Sequence, residues 1–232
     1  MIRKYKDACL AMTAMFAFGA IVAQGASANP LTVDSSLNAV YITGTNHVAG
    51  ATHTLTVEPG VQAHCKHATY KGSAAVVNGQ VNHITLAPEY TECTAFGFAT
   101  ADIKVNGCIY TLTTPTLIKP GEVTWDAATQ IHMLCPVGKK LEITPTSFGA
   151  SVCTVSIGEQ TPGFGHLVAR NAGSSVIGGM DLTDEATLGG MTYTSTNSAC
   201  GKGGSTASVE GKTTAICYSN ALHTLKTDCT FS

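Results

Sequence analysis

Apolar and polar residues alternate with a period of two along much of this chain. Cys108, Tyr110 and Leu112 share one side of such a run, with Thr111 and Thr113 on the other. Cys153, Val155 and Ile157 repeat the pattern against Thr154 and Ser156, and Leu141 and Ile143 alternate with Lys140, Glu142 and Thr144. The spacing predicts half-buried strands, because successive side chains of extended backbone point to opposite faces. Turn signals interrupt the runs at short intervals: Pro59-Gly60, Asn78-Gly79, Asn106-Gly107, Pro120-Gly121 and Pro162-Gly163. Asn-Gly tolerates the positive φ of a tight hairpin, so hairpin tips are expected at Asn78-Gly79 and Asn106-Gly107. No convincing amphipathic helix is visible, although Asp181 to Leu188 offers one short turn. Many short strands with such turns predict an all-β fold of one or two antiparallel β-sandwich modules, immunoglobulin-like and disulfide-bonded.

Composition narrows the class. Charged residues make up 12% of the 232, about half the roughly 25% of an ordinary soluble domain. Thirty-two threonines after residue 28 explain how so few ions keep a sheet surface polar, since threonine favours strands and is at ease on a wet face. The formal net charge of −2 excludes a strongly basic nucleic-acid binder. Beyond residue 28 the sole arginine is Arg170, which leaves neither clustered arginine nor clustered lysine for phosphate recognition.

The N-terminal residues resemble a targeting segment. Arg3, Lys4 and Lys6 precede an apolar run from Ala8 to Ala23, followed by Ala26-Ser27-Ala28. A basic patch, an apolar run and a small-residue site describe a secretory signal peptide, expected over residues 1–28. Sixteen apolar positions fall short of the about 20 a membrane-spanning helix requires. No second stretch is long enough to span a bilayer, and no Asn-x-Ser/Thr acceptor occurs.

Removing that segment takes Cys9 with it and leaves Cys65, Cys93, Cys108, Cys135, Cys153, Cys200, Cys217 and Cys229. An even count in an exported chain predicts disulfides. Zinc is disfavoured because structural sites place two ligands a few residues apart and no C-x-x-C is present. Sequential pairing (65–93, 108–135, 153–200, 217–229) is the expected connectivity because it joins neighbouring strands. Secreted or cell-envelope localisation follows.

The chain carries no G-x-S-x-G, H-E-x-x-H or S-x-x-K arrangement, and an even cysteine count leaves no free thiol. His64 and His67 are three apart on extended backbone and would face opposite sides; His83 is nearby, and His47 and His53 would share a face without a third ligand. Glu89 with Glu92, and Glu122 with Asp126, are read as solvated acids. Asp181, Asp184 and Glu185 are the one candidate for a cofactor, a calcium ion, which wants several hard oxygens. The weakly patterned segment from Gly158 to Gly190 is expected to be a long loop, and loops on rigid scaffolds carry function. Ligand contacts are therefore expected from Trp125, Phe164, His166 and Arg170.

Ala68 to Ala75 echoes Ala207 to Thr214, each a few residues after a cysteine. With the chain length, this suggests one module over residues 29–144 and a second over 145–232.

The segments Glu92-Cys93-Thr94-Ala95-Phe96-Gly97-Phe98, Asn106-Gly107-Cys108-Ile109-Tyr110, Cys135-Pro136-Val137-Gly138 and Cys153-Thr154-Val155-Ser156-Ile157 resemble exported, cysteine-bearing β-proteins of soil actinobacteria. The resemblance implies export, disulfides and strands, and brings no catalytic residues with it. The expected function is non-catalytic: an extracellular or cell-surface binding or structural protein. Its partner would be an extracellular ligand or surface component, not nucleic acid. The alternative is a secreted, glycosidase-like hydrolase with carboxylates converging from distant strands.

Overall fold

Alternating burial runs through the strands as the sequence pattern requires: Leu141, Ile143 and Pro145 are buried along one strand, Val155 and Ile157 along another. The computed structural model describes residues 31–46, 52–58, 61–172 and 182–232. The expected signal peptide, the Pro59-Gly60 turn, His47 and Asp181 lie outside the described residues.

The first strands are β1 (Leu31–Val33), β2 (Ala39–Asn46), β3 (His53–Glu58), β4 (Val61–Val77), β5 (Gln80–Ala95) and β6 (Ala99–Lys104). Next come β7 (Ile109–Leu112), β8 (Thr116–Lys119), β9 (Glu122–Asp126), the single-turn helix α1 (Ala127–Gln130), β10 (Ile131–Leu134) and β11 (Leu141–Ser147). The rest are β12 (Ala150–Ser151), β13 (Val155–Ile157), β14 (Phe164–Asn171), β15 (Leu182–Ser195), β16 (Gly204–Tyr218) and β17 (Cys229–Phe231). Every pairing among them is antiparallel. The protein is all-β, antiparallel and disulfide-bonded. No helix among the described residues is long and apolar enough to cross a membrane.

At one end the pairings close a circuit, β3–β4–β5–β6–β11–β13–β15–β16 and back to β3. Closure removes the free sheet edges on which chains aggregate. At the other end β10–β7–β5–β4–β2–β16–β15–β14–β9–β8 form a curled sheet joined covalently through α1. Four long strands, β4, β5, β15 and β16, belong to both ends. Each end has its own core. Leu55, Cys65, Tyr90, Leu141, Met191 and Val209 are among the residues of the first, and Val40, Val81, Trp125, Ile131, Leu182 and Phe231 among those of the second.

The two cores are thus stacked along the strands and not divided along the chain. The module boundary expected at 144/145 falls inside β11. Pairs β1–β17, β9–β14, β2–β16 and β3–β16 each join residues before it to residues after it. The echo at residues 68–75 and 207–214 falls on β4 and β16, the long strands that flank β2 and β3, but at different places: Thr69 to Ala75 pair with β2, whereas Ser208 to Glu210 pair with β3.

Sequential cysteine pairing is what the structure contains: Cys65–Cys93, Cys108–Cys135, Cys153–Cys200 and Cys217–Cys229. Cys65 and Cys93 face each other directly in the β4–β5 ladder.

Three local expectations need correction. Asn78-Gly79 is a hairpin tip with φ of 53° and 77°, but Asn106-Gly107, with φ of 54° and 82°, is not. It turns the chain out of β6, which pairs with β11, into β7, which pairs with β10. The Asn106 side chain ties this turn to the Lys140 carbonyl at 2.8 Å. Positive φ permits a tight turn; only complementary flanking registers make it a hairpin. The helical turn expected over Asp181 to Leu188 is not found in its described part either, since residues from Leu182 onward are strand. The expected long loop from Gly158 to Gly190 instead contains β14 and the start of β15, paired from Phe164↔Gly189 to Asn171↔Leu182. Scattered glycines blurred the alternation, yet Gly163 and Gly190 are there because their backbones pack together: a Cβ on Gly190 would lie 2.9 Å from the Cα of Gly163.

Candidate functional site

Where the long strands pass from one core to the other, the interior is not filled. A cavity with about 80 Å³ open to water-sized molecules lies there, next to a second of about 60 Å³ that reaches toward Trp125 and Phe231. The two share Ile42, Leu86, Leu112, Leu167, Asp184 and Ala215 as walls, so they are lobes of one mainly apolar space. A water needs roughly 10–15 Å³ by this measure, so the larger lobe has room for about half a dozen non-hydrogen atoms.

The polar groups of the first lobe come from separate strands. His53 opens β3, Tyr70 lies midway along β4, Tyr90 is on β5 and Tyr110 on β7. The Tyr70 hydroxyl is 3.3 Å from His53 Nδ1 and 3.3 Å from the Tyr90 hydroxyl, and Tyr90 in turn bonds Tyr110. The rings pack at angles, with centroids 5.8 Å apart for His53–Tyr70 and 6.2 Å for Tyr70–Tyr90. Gly44 and Gly211 make room for them. Gly44 is paired with Tyr70 across β2–β4, and the His53 imidazole rests against Gly211 on β16.

His53 is 2% exposed, and its Nε2 is buried without a hydrogen-bond partner. Buried ring nitrogens are ordinarily satisfied. Burial pushes the imidazole below its ordinary pKa, offset in part by the Lys212 backbone carbonyl; the ring is neutral at physiological pH. The hydroxyls of Tyr70, Tyr90 and Tyr110 are pushed well above the ordinary phenol range, first by burial and then by one another. They remain protonated donors.

Asp184 is the acid of the site. On β15 it lies between Ala169 of β14 and Thr213 of β16, and it lines both lobes. The Thr213 hydroxyl donates to its Oδ1. Burial lifts its carboxyl to about 6, against the lowering by that hydrogen bond. Among the described residues no lysine or arginine lines either lobe.

The residues expected to bind ligand do not converge. Trp125 is buried beside the second lobe, its ring edge-on to Phe231 at 6.2 Å and its indole N–H donating to the Thr113 carbonyl at 2.6 Å. Phe164, His166 and Arg170 occupy the outward face of β14, and Arg170 pairs with Glu122 at 3.1 Å. Asp184 and Glu185, being adjacent on a strand, point to opposite faces; Glu185 pairs outside with Lys212 at 3.2 Å. Among the described residues no three His, Cys, Asp or Glu side chains converge on a point. Sequence reasoning missed Tyr70, Tyr90 and Tyr110 as site residues; it weighed His53 for a metal and Asp184 for calcium, but did not bring the two together. The available signal was weak: aromatic or ionisable residues at strand positions whose parity matches inward cysteines, as for Tyr110 beside Cys108.

No family model matches the chain, and no curated protein or solved structure matches it.

Proposed function

We propose that this is a non-catalytic, extracytoplasmic binding protein whose ligand occupies the cavity between the two cores. One observation carries this: a mainly apolar internal space into which a few polar groups from separate strands converge, one of them a buried nitrogen without a partner. Such a composition is typical of small-molecule sites. The four disulfides accord with an oxidising compartment, and the N-terminal basic and apolar residues accord with export. Among the described residues the cavity offers a single carboxylate, Asp184, whereas glycoside hydrolysis uses two, so binding is favoured over the hydrolase alternative.

The test is calorimetric titration with hexanol, a neutral probe able to enter an apolar cavity. Saturable binding at one site is expected. Gly44 lines the larger lobe, and a Cβ there would meet Tyr70 at an ordinary 3.5 Å. Gly44→Val should therefore fold yet weaken the binding. Absence of saturable binding to the native protein, or equal binding by the variant, would overturn the assignment.

A further inference from the structure

The charge inventory of the cavity goes beyond the presence of a ligand site and bears on which ligand it takes. Asp184 lines both lobes and, among the described residues, is the only carboxylate in their walls, with no lysine or arginine beside it. Among the described residues its side-chain hydrogen-bond partner is the neutral Thr213 hydroxyl. An anion held in apolar surroundings without a counter-charge is unfavourable and is relieved by a proton or by a cation. The other polar groups fit a cation as well. Tyr70, Tyr90 and Tyr110 line the same lobe, and aromatic rings attract ammonium groups. The neutral His53 ring can reverse the direction of its hydrogen bond with Tyr70, which makes the unpartnered Nε2 an acceptor for an N–H donor.

We infer that the cavity selects a small amine with an apolar body, its ammonium group on Asp184 and its hydrocarbon part in the lobe toward Trp125 and Phe231. This rests on the proposed binding function and makes it specific. Carboxylates are rejected, because Asp184 repels them and no cationic side chain among the described residues of the lining receives them. Neutral alcohols enter more weakly, lacking the charge-assisted contact.

The affinity for an amine follows the ionisation of Asp184. Its neighbours on the flanking strands, Ala169 and Thr213, do not titrate. Across the cavity Tyr70, Tyr90 and Tyr110 stay protonated, and His53 loses any residual proton as pH rises, which favours a cation further. The outward pairs Glu185–Lys212 and Glu122–Arg170 lie on the opposite face of the sheet. Amine binding therefore tightens from pH 5 to pH 7, around the value of about 6 at which Asp184 ionises.

The experiment is parallel calorimetric titration of the native protein with hexylamine, hexanol and hexanoate at pH 7.5, repeated for hexylamine and hexanol at pH 5. Expected at the higher pH is hexylamine binding about tenfold tighter than hexanol, with hexanoate not binding. At pH 5 the advantage of the amine should shrink while hexanol is unchanged. In Asp184→Asn the preference for amine over alcohol should vanish; should that variant not fold, the pH dependence of the native protein decides. Hexanol binding as tightly as hexylamine, or hexanoate binding at all, overturns the amine assignment and leaves the cavity site standing. If none of the three probes binds, the binding function itself falls.

Discussion

The imidazole of His53 lies so close to the backbone of Gly211 that a Cβ added there would sit 2.1 Å from Nδ1 and 2.3 Å from Cε1. A strand residue without a side chain is what lets a histidine ring lie flat at the junction of the two cores. Gly211→Ala must displace the ring or bend β16, and its expected cost is about 1–3 kcal/mol, the range for overpacking a filled interior. Gly44→Ala, whose new Cβ meets only ordinary contacts at 3.5 Å and beyond, should be nearly neutral. Denaturant unfolding of the two variants checks the contrast; equal losses would show that His53 is not held against Gly211.

The Asp184 carboxyl gives a signed pH dependence. Its folded pKa of about 6 lies above the ordinary 3.8, so the native state holds a proton that the unfolded chain has already released. Stability from this group falls as pH rises from about 4 to 6 and is level beyond. His53 acts oppositely: its lowered pKa makes stability fall as pH drops below the ordinary 6.5. Asp184→Asn removes only the first contribution. Relative to the native protein it should therefore gain stability progressively from pH 4 to pH 7, by at most about 3 kcal/mol. A constant difference between the two proteins across this range would contradict the buried carboxyl.

The cross-links should not be equivalent. Cys153–Cys200 spans 47 residues and Cys217–Cys229 spans 12. In the loop-entropy model the longer loop stabilises more, by about 1 kcal/mol, on a base of roughly 2–4 kcal/mol for each bridge. Paired Cys→Ala replacements compared by chemical unfolding give the order, and a larger loss from the shorter loop would count against that mechanism here.

Trp125, the single tryptophan of the chain, borders the second lobe and serves as an internal reporter. Its emission should be protected from acrylamide in the native protein and should change when hexanol enters. Arg170→Ala and His166→Ala, both on the outward face of β14, should leave that response intact. Loss of the response in either variant would move the site to the outer surface.

Much of the architecture was legible in the residues, and the reason is physical. Period-two alternation reports directly on burial in strands, and it placed Tyr110, Leu141, Ile143 and Val155 inward as observed. Sequential disulfides followed from cysteines on neighbouring inward-facing strands. What alternation cannot report is which strands pair. Asn106-Gly107 read as a hairpin because its turn chemistry is right, while its flanking strands take partners elsewhere. The site was hidden for the same cause: His53, Tyr70, Tyr90, Tyr110 and Asp184 come from five strands, and only the closed pairing brings them to one place. Trp125 and Arg170, neighbours in a sequence-based guess, are separated by the thickness of a sheet.

A ligand cavity at the junction of the two cores can be seen by crystallography with a heavy-atom probe. Crystals soaked in 2-bromoethanol should show an anomalous bromine peak inside the space bounded by Tyr70, Leu86, Asp184 and Ala215, with the probe hydroxyl bonded to His53 Nε2 or Asp184. Side chains closed over that space, with Nε2 bonded to the protein and bromine found only at the surface, would contradict it.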